Sequence, residues 1–471
     1  MADDKCCDCD CCKGIIDYDL DNLTTDTQLL PNKSEEITQE KLAFAFKPPL
    51  IYPDYNHLIS YGDVPYEKIK DINDLCGKQG YKLIVKKGAF GNIHGLLLID
   101  VYVNDQKSES LIYGYGSNEN GQLGMDYNVG GENVYKELTE VKGLKEKMEQ
   151  KFILWEASDF DFDDINVADG FSLLTIRYKN DAGMALYRFQ MKKEDLFEIA
   201  SGQCEESTKL SVYKEKFNGL TNGDIKKVVS FGDKIMILTN NNYLYMKGTL
   251  FDMTNANDFV LYRKFKENIL DITIGINNCL LLAQNNQIFA IGHNEYGEFG
   301  IKETINNEYQ PVNNIIKTNL FRKETAVKSE GEYYVNDYFV KKGLQIVKMT
   351  SGARHTLVLC SNGKLYSFGD NSDGQCCGLE KLVEGPTQVE FENPKEFIVD
   401  ICCGFNHSIA KSISGRVFVW GDSSYDKLGF KETRIDQYSP VEISDLKIRN
   451  VVKMFAGPRQ TAFFVSGPFN G

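Results

Sequence analysis

Five cysteines near the N-terminus form the one dense group of chemically reactive side chains in this 471-residue sequence: Cys6, Cys7, Cys9, Cys11 and Cys12. Thiolates are good ligands for soft metals, and the Cys-x-Cys spacings in this segment would suit Cu(I) or Zn. Clustered cysteines are also substrates for S-acylation, and two acyl chains suffice for stable membrane anchoring. The third interpretation is a tail whose thiols carry neither a metal nor a lipid.

The composition around these cysteines favours the third interpretation. Residues 1–50 carry eleven acidic and five basic residues and show no sustained apolar periodicity, which is typical of a disordered segment. Lipid anchors are normally assisted by basic residues, but the thiols are surrounded by Asp3, Asp4, Asp8 and Asp10. We therefore expect a disordered acidic tail, with lipidation and soft-metal binding as alternatives, and we assign the chain no resident cofactor.

An acidic run further along the chain starts like a calcium-binding loop. It extends from Asp159 to Asn166 and alternates aspartate with phenylalanine before a pair of aspartates. A calcium loop of this type needs Gly at its sixth position and Glu at its twelfth. This chain has Asp164 and Gly170 at those positions. The run therefore predicts an exposed acidic loop, suited to a basic partner, and no calcium site.

Two histidines, His355 and His407, recur at one position of a repeat described below. Recurrence at a repeat position indicates packing or a turn hydrogen bond, and neither histidine has a Cys or a second His at metal-ligand spacing. The glycine-rich stretch at 114–121 matches neither the dinucleotide fingerprint nor the phosphate-binding loop. The sequence thus predicts no catalytic, cofactor-binding or metal-ligating residue outside the tail.

The elements that must position these residues repeat along the chain. Related phrases occupy residues 273–297, 351–374 and 402–426, and in each of them one glycine precedes a second by seventeen residues. In the middle phrase, residues 355–359 alternate like a half-buried strand, and Asn362-Gly363 suits the hairpin turn that follows. A period of about 50 residues built from short strands is typical of a β-propeller.

Weaker copies of the phrase fill the rest of the sequence, at residues 84–124, 167–190 and 228–248. The last half-copy, at 451–467, lacks a return strand, whereas the segment 58–62 is a return strand without a partner. Pairing these two segments would close a ring and remove the exposed sheet edges that invite aggregation. We therefore predict an all-β fold, a seven-bladed β-propeller closed by N- and C-terminal strands.

Two domains follow from this division. Residues 1–50 form the acidic, Cys-rich tail, and residues 51–471 form the propeller. Three insertions, at about 126–165, 201–224 and 301–345, break the repeat period. Long insertions in a compact repeat are usually loops on one face and often carry function, although neutral expansion explains them equally well.

The charge of the chain restricts its partners and its compartment. The sequence has 53 basic and 67 acidic residues, a net charge of −14. Such a surface opposes both nucleic-acid phosphates and anionic membranes. No apolar stretch approaches the ~20 residues of a membrane-spanning helix, and the N-terminus lacks the apolar core of a secretory signal. We expect a cytoplasmic protein with reduced thiols, protein partners and no nucleic-acid partner.

The repeats resemble those of the regulator-of-chromosome-condensation family, whose members are seven-bladed propellers. The resemblance covers most of residues 55–467. The matching motifs are Gly-x-x-His at Gly352–His355 and Gly404–His407, an aromatic residue before Gly at Phe368-Gly369 and Trp420-Gly421, and Gly-Gln-Leu-Gly at Gly121–Gly124 with a variant at Gly297–Gly300.

The resemblance implies several functions. The founding member of the family is a nuclear exchange factor for the GTPase Ran, but this chain has no basic tail and is acidic overall. A plant photoreceptor of the family uses clustered tryptophans, and this chain has two. We therefore expect a non-enzymatic protein-interaction scaffold in a cytoskeletal or ciliary setting. The alternative is guanine-nucleotide exchange on a Ran-like or other small GTPase, and a third hypothesis is a substrate adaptor for ubiquitin ligation.

Overall fold

The chain folds into antiparallel strands that associate as seven four-stranded sheets, as the repeat predicts. The computed structural model describes residues 56–64, 69–75, 80–128, 132–152, 160–179, 184–190, 208–210, 212–215, 225–250, 253–301, 334–430, 435–443 and 450–466. All of these residues belong to the unit Pro48–Gly471.

The strands of the first half of the chain are three to twelve residues long. They are β1 (Asn56–Gly62), β2 (Ile69–Asp71), β3 (Tyr81–Phe90), β4 (His94–Val103), β5 (Gln106–Ser117), β6 (Asp126–Asn128), β7 (Val134–Glu140), β8 (Phe160–Ala168), β9 (Phe171–Tyr178), β10 (Met184–Phe189), β11 (Thr208–Leu210), β12 (Val212–Lys214), β13 (Ile225–Phe231), β14 (Lys234–Thr239), β15 (Tyr243–Leu250) and β16 (Met253–Lys264). An α-helix, α1 (Leu144–Phe152), and a 3₁₀ turn (Ile72–Leu75) lie among them.

The second half continues the same pattern. Its strands are β17 (Ile269–Ile274), β18 (Asn278–Ala283), β19 (Ile288–Gly292), β20 (Tyr334–Asn336), β21 (Ile346–Ser351), β22 (His355–Cys360), β23 (Leu365–Asp370), β24 (Leu382–Gln388), β25 (Ile398–Cys403), β26 (His407–Ser412), β27 (Val417–Gly421), β28 (Gln437–Glu442), β29 (Val451–Ala456) and β30 (Gln460–Ser466). A short helix, α2 (Tyr338–Lys341), and a 3₁₀ turn (Ser424–Asp426) complete the described elements.

Each sheet is one blade of the propeller. Blade 1 is β3-β4-β5-β7, blade 2 is β8-β9-β10-β12, and blades 3 to 6 take four consecutive strands each, from β13 to β28. Blade 7 has the order β2-β1-β30-β29. Strands β6 and β11, which lie in the loops of blades 1 and 2, form a separate two-stranded ribbon. The predicted seven-bladed, all-β fold is therefore confirmed.

The ring closes through blade 7, which joins strands from both halves of the chain. β1 pairs antiparallel with β30 in unbroken register, from Asn56 opposite Ser466 to Gly62 opposite Gln460. This is the pairing that the two half-copies of the repeat predicted. Closure in this way leaves neither terminal sheet edge open to another chain.

The second strands of blades 5 and 6 are buried on both faces. All six residues of β22 are buried, and so are all six of β26. The prediction of a half-buried strand at residues 355–359 is therefore wrong, because each blade packs between two neighbours and neither face meets water. Apolar clusters fill the space between neighbouring blades, as where Val358 of blade 5 and Ile288 of blade 4 share one cluster.

Gly369, the penultimate residue of the third strand of blade 5, has a backbone conformation that other residues rarely adopt. Its φ is 115°, and a Cβ at this position would lie 2.3 Å from the carbonyl oxygen of Arg354. Gly378, in the following loop, has a φ of 92° but open space where its Cβ would be. The two glycines therefore separate backbone strain from a steric clash.

We expect Gly369→Ala to lower the free energy of unfolding by about 3 kcal/mol or more, because left-handed strain and overpacking add. Gly378→Ala should lower it by about 1 kcal/mol, from strain alone. Chemical denaturation of the two purified variants measures the difference. Equal losses in the two variants would contradict the clash at Gly369.

Candidate interaction surface

The five N-terminal cysteines, Cys6, Cys7, Cys9, Cys11 and Cys12, lie outside the residues that the structure describes, so lipidation and soft-metal binding of the tail stay predictions. Within the described ranges, no group of three or more His, Cys, Asp or Glu side chains is arranged to hold a metal ion. In the same ranges, no helix has the length and apolarity to cross a membrane.

Buried histidines connect neighbouring blades. Each of them is the first residue of the second strand of its blade. Its Nε2 forms a hydrogen bond with the hydroxyl of a Ser or Thr, which is the second residue of the second strand of the next blade. The pairs are His94–Ser172 at 2.8 Å, His355–Ser408 at 3.0 Å and His407–Thr461 at 2.8 Å. At the ring closure Gln460 takes the histidine position and donates to Tyr115 Oη at 2.7 Å.

These histidines are held in the neutral form. Burial lowers the pKa of His355 to about 3 and that of His407 to about 3, the latter also through the nearby Lys427. Burial likewise lowers the pKa of His94 to about 4. A neutral imidazole locked between two blades is suited to joining them, which matches the packing role predicted from its recurrence.

The innermost strands carry a ring of alternating charge that the sequence analysis missed. Every innermost strand has a register shift at the same place, and the first paired residue after the shift is charged. In blade order these residues are Lys87, Asp164, Lys227, Asp271, Lys348, Asp400 and Lys453. We call this set the charge belt. Each residue stands four positions before the first glycine of its repeat, or before the residue that replaces that glycine.

Ion pairs of the charge belt cross three of the seams between blades. Lys87 Nζ lies 2.5 Å from Asp164 Oδ1, and Lys348 Nζ lies 2.5 Å from Asp400 Oδ1. Lys227 and Asp271 form the third pair. Burial opposes the charge on Lys348, but Asp400 and, more weakly, Asp271 raise its pKa, so blades 4, 5 and 6 are coupled through one lysine.

The acidic run that resembled a calcium loop is part of this packing. Asp161, Asp163 and Asp164 lie on strand β8, so the predicted exposed loop is wrong for this part of the run. Asp161 accepts a 2.5 Å hydrogen bond from Lys107, and this bond lowers the pKa of Asp161 although burial opposes ionisation. Asp163 pairs with Arg177 at 3.2 Å. Basic residues of blades 1 and 2 therefore neutralise the run, and a basic partner is not required.

One side of the ring, which we call the loop face, carries the loops between the first and second strands and between the third and fourth strands of each blade. Neighbouring blades interlock there through stacked side chains. The Arg354 guanidinium lies 4.2 Å from the centre of the Tyr296 ring, and that of Arg459 lies 4.8 Å from the Tyr425 ring. These contacts hold the loops of neighbouring blades against one another on the loop face.

An apolar patch stands out on the loop face at the seam between blades 5 and 6. Leu379 is 85% exposed, Ile435 is 64% exposed and Tyr438 is 38% exposed. We call these three residues the blade 5–6 patch. The amide of Gly378 donates to the carbonyl of Tyr438 at 2.8 Å, which ties the loop of blade 5 to strand β28 of blade 6.

Acidic side chains border the blade 5–6 patch: Asp370, Asp373, Asp422 and Asp436. Burial and the other three carboxylates raise the pKa of Asp373, which shows that they lie close enough to repel one another. Backbone amides hold them in place, as where Ser423 donates to Asp436 at 3.0 Å. Lys427 pairs with Asp422 but is itself buried. The border is therefore negative.

Comparison with known proteins supports the repeat assignment. Models of the regulator of chromosome condensation (RCC1) repeat match residues 346–375 and 398–426, and a second model of the same repeat matches 362–410 and 414–464. These matches cover blades 5, 6 and 7, where the repeat phrase is strongest.

Relatives of known name match part of the chain. The RCC2 homolog of Xenopus laevis is 27% identical over 209 residues, which is 39% of this chain and 36% of that protein. Human RCC2 is 26% identical over 217 residues, 41% of this chain and 37% of its own. The probable human ubiquitin ligase HERC6 is 34% identical over 116 residues, 24% of this chain and 11% of its own. The matches thus span little more than a third of RCC2 and less of HERC6.

Solved structures share the fold. Yeast Prp20p superposes with a TM-score of 0.62 at 14% identity, covering 93% of this chain and 97% of Prp20p. Human WBSCR16 superposes with a TM-score of 0.57 at 16% identity, covering 88% of this chain and 99% of its own. The closed ring of seven blades makes this chain a β-propeller protein. The repeat matches in blades 5 to 7, together with this ring, support the regulator-of-chromosome-condensation repeat family.

The neutral histidines predict a pH dependence of stability. Between pH 6.5 and about 3 the unfolded chain binds protons that the folded seams exclude, so stability falls as the pH falls. His407→Gln, which copies Gln460 of blade 7, should reduce the loss between pH 7 and pH 5 by about 2 kcal/mol. Denaturation curves at the two pH values test this, with His293→Gln, outside the seams, as the control. An unchanged pH dependence in His407→Gln would contradict a neutral His407.

The charge belt predicts a salt-dependent variant. Asp400→Lys would place four lysines in successive blades, from blade 5 through blade 7 to blade 1, and we expect it to lower the free energy of unfolding by roughly 1–2 kcal/mol at low ionic strength, less at high salt. The control, Glu132→Lys, breaks the exposed pair with Lys136 outside the belt and should change stability by less than about 0.5 kcal/mol. Similar losses in both variants would show that the belt adds nothing.

Proposed function

We propose that this chain is a non-enzymatic protein-interaction module that presents the loop face of its propeller to protein partners. The observation that carries this proposal is the blade 5–6 patch, where a leucine is 85% exposed on a rigid scaffold. Exposed apolar side chains grouped on a firm surface are typical of protein-binding sites.

The chemistry of the described residues supports a role in binding. The recurring histidines are neutral, and each is hydrogen-bonded to the next blade at a seam. Burial also raises the pKa of the Cys360 thiol to about 12 and that of Cys402 to about 11, so these thiols are poor nucleophiles at neutral pH. The positions that recur in the repeat thus serve packing, which leaves the loops for binding.

The proposed setting is the cytoplasm, at the cytoskeleton or the cilium, rather than the nucleus. The net charge of −14 supports it, because the surface disfavours chromatin and anionic membranes. RCC2 and HERC relatives support a regulatory or interaction role for propellers of this type. A role as substrate adaptor for ubiquitin ligation belongs to the same class of binding function.

Guanine-nucleotide exchange on a Ran-like or other small GTPase is the second candidate. Prp20p, which shares the fold, is described with its binding to Gsp1p and histones. The likeness extends to the backbone, and function depends on the loops that the fold carries. The proposal therefore remains an interaction module unless exchange activity is measured.

Proximity labelling from the tagged protein in its native cell tests the proposal. We expect cytoskeletal or axonemal proteins among the labelled neighbours above a free-tag control, because the loop face should hold partners close. If a small GTPase dominates the labelled set, a nucleotide-release assay with that GTPase follows. Faster release in that assay would overturn the non-enzymatic proposal in favour of exchange.

A further inference from the structure

The third loop of blade 5 departs from its own repeat at one residue. In blades 1 and 4 the four-residue turn ends on a glycine, Gly121–Gly124 and Gly297–Gly300, and the apolar residue that follows turns inward. Met125 is 6% exposed and Ile301 is 7% exposed. In blade 5 the same turn is Gly374–Cys377, because the Cys377 amide donates to the Gly374 carbonyl, so a cysteine replaces the glycine and Gly378 replaces the inward apolar residue.

The blade 5 loop therefore lacks the inward apolar side chain of blades 1 and 4. Cys377 has a φ of 73° and Gly378 a φ of 92°, so two successive residues adopt the left-handed conformation. Such a conformation is unfavourable for a residue with a Cβ. Leu379, the next residue, is 85% exposed. The chain bears backbone strain at Cys377, and the apolar side chain of this loop stands in solvent.

The exposed leucine is held in place rather than free to collapse. The Gly378 amide is bonded to Tyr438, and the Tyr438 hydroxyl donates to the carbonyl of Ser372 at 3.3 Å. The side-chain amide of Asn371 also donates to the carbonyl of Gly378 at 2.9 Å. A surface already fixed in one shape loses little conformational entropy when a partner covers it.

The charge around the leucine selects the kind of partner. Four aspartates border the patch. Lys427 lies beside them, but its ammonium is buried against Asp422 and the carbonyl of Pro458. The opposite charges of Glu380 and Lys381, which follow Leu379, add up to no net charge. A partner segment with lysine or arginine beside an apolar residue would match both features, whereas an acidic or uncharged segment would match one of them.

We propose that the blade 5–6 patch binds a basic segment of a partner protein, which packs one apolar side chain on Leu379 and Ile435 and sets its cations against the bordering aspartates. This inference rests on the proposed interaction function and names the site and the chemistry of the partner. Long-range attraction would speed encounter, and the apolar contact would set the lifetime of the complex.

A phage-displayed library of random short peptides, panned on the full chain and counter-selected on Leu379→Ser, tests this inference. We expect enriched peptides that combine Lys or Arg with an aliphatic or aromatic residue. Synthetic copies should bind Leu379→Ser about tenfold more weakly. They should also bind Asp373→Asn/Asp436→Asn more weakly, with less sensitivity to salt. Acidic enriched peptides, or none, would overturn the inference.

A further variant protects the test from misfolding. Ile413 is 47% exposed on the opposite side of the ring, so Ile413→Ser is the matched control and should bind the peptides like the parent. Equal loss of peptide binding in Ile413→Ser and Leu379→Ser would show that the effect does not come from the patch, and would overturn the inference.

The outcomes separate this inference from the proposed function. If Leu379→Ser keeps all labelled neighbours of the parent in the cell, the partners bind elsewhere and the inference fails, although the interaction function stands. If sedimentation shows that the chain self-associates through Leu379, a second copy occupies the patch and the inference is overturned. If labelling finds no protein neighbours but peptides bind as expected, the patch is a site and the proposed setting is wrong.

Discussion

The packing of blade against blade is the constraint on which the rest of this structure depends. A single four-stranded blade has apolar residues on both faces, so it can be stable only between two neighbours. Polar contacts at each seam then set the alignment. Backbone bonds continue the same function around the ring, as where Ala353 donates to the carbonyl of Phe405 and accepts from Ile276. Stability is therefore a property of the ring.

An odd number of blades cannot alternate two charges without one repetition. In the charge belt this repetition falls between Lys453 of blade 7 and Lys87 of blade 1, on neighbouring strands. Other contacts join these blades. The rings of Phe90 and Phe455 meet edge to face with centroids 6.3 Å apart, and a Cβ on Gly88 would lie 2.9 Å from the Phe455 ring. Apolar packing thus replaces an ion pair at the seam where the charges oppose it.

The sequence predicted the fold well because glycines mark each turn, and it predicted the ring closure from two unmatched half-repeats. It did not reveal the charge belt, because comparison of repeats searches for identity and this position alternates between Lys and Asp. The acidic run at 159–166 was misjudged because its neutralising partners, Lys107 and Arg177, lie on other strands. The exposure of Leu379 was also hidden, since only the turn hydrogen bond shows that Gly378, and not Leu379, takes the position that is buried in blades 1 and 4.

The same argument explains where specificity can arise in such a protein. Residues that obey the repeat are committed to seams, as His355 is to Ser408, and they cannot change without loss of stability. Residues that depart from the repeat do not take part in the seam contacts, so they can change without breaking them. Cys377, which adopts a left-handed conformation where blades 1 and 4 have glycine, is such a departure, and Leu379 beside it is exposed on the loop face. Because neither residue serves a seam in the way that the histidines do, this loop is where the blade can acquire a binding specificity of its own.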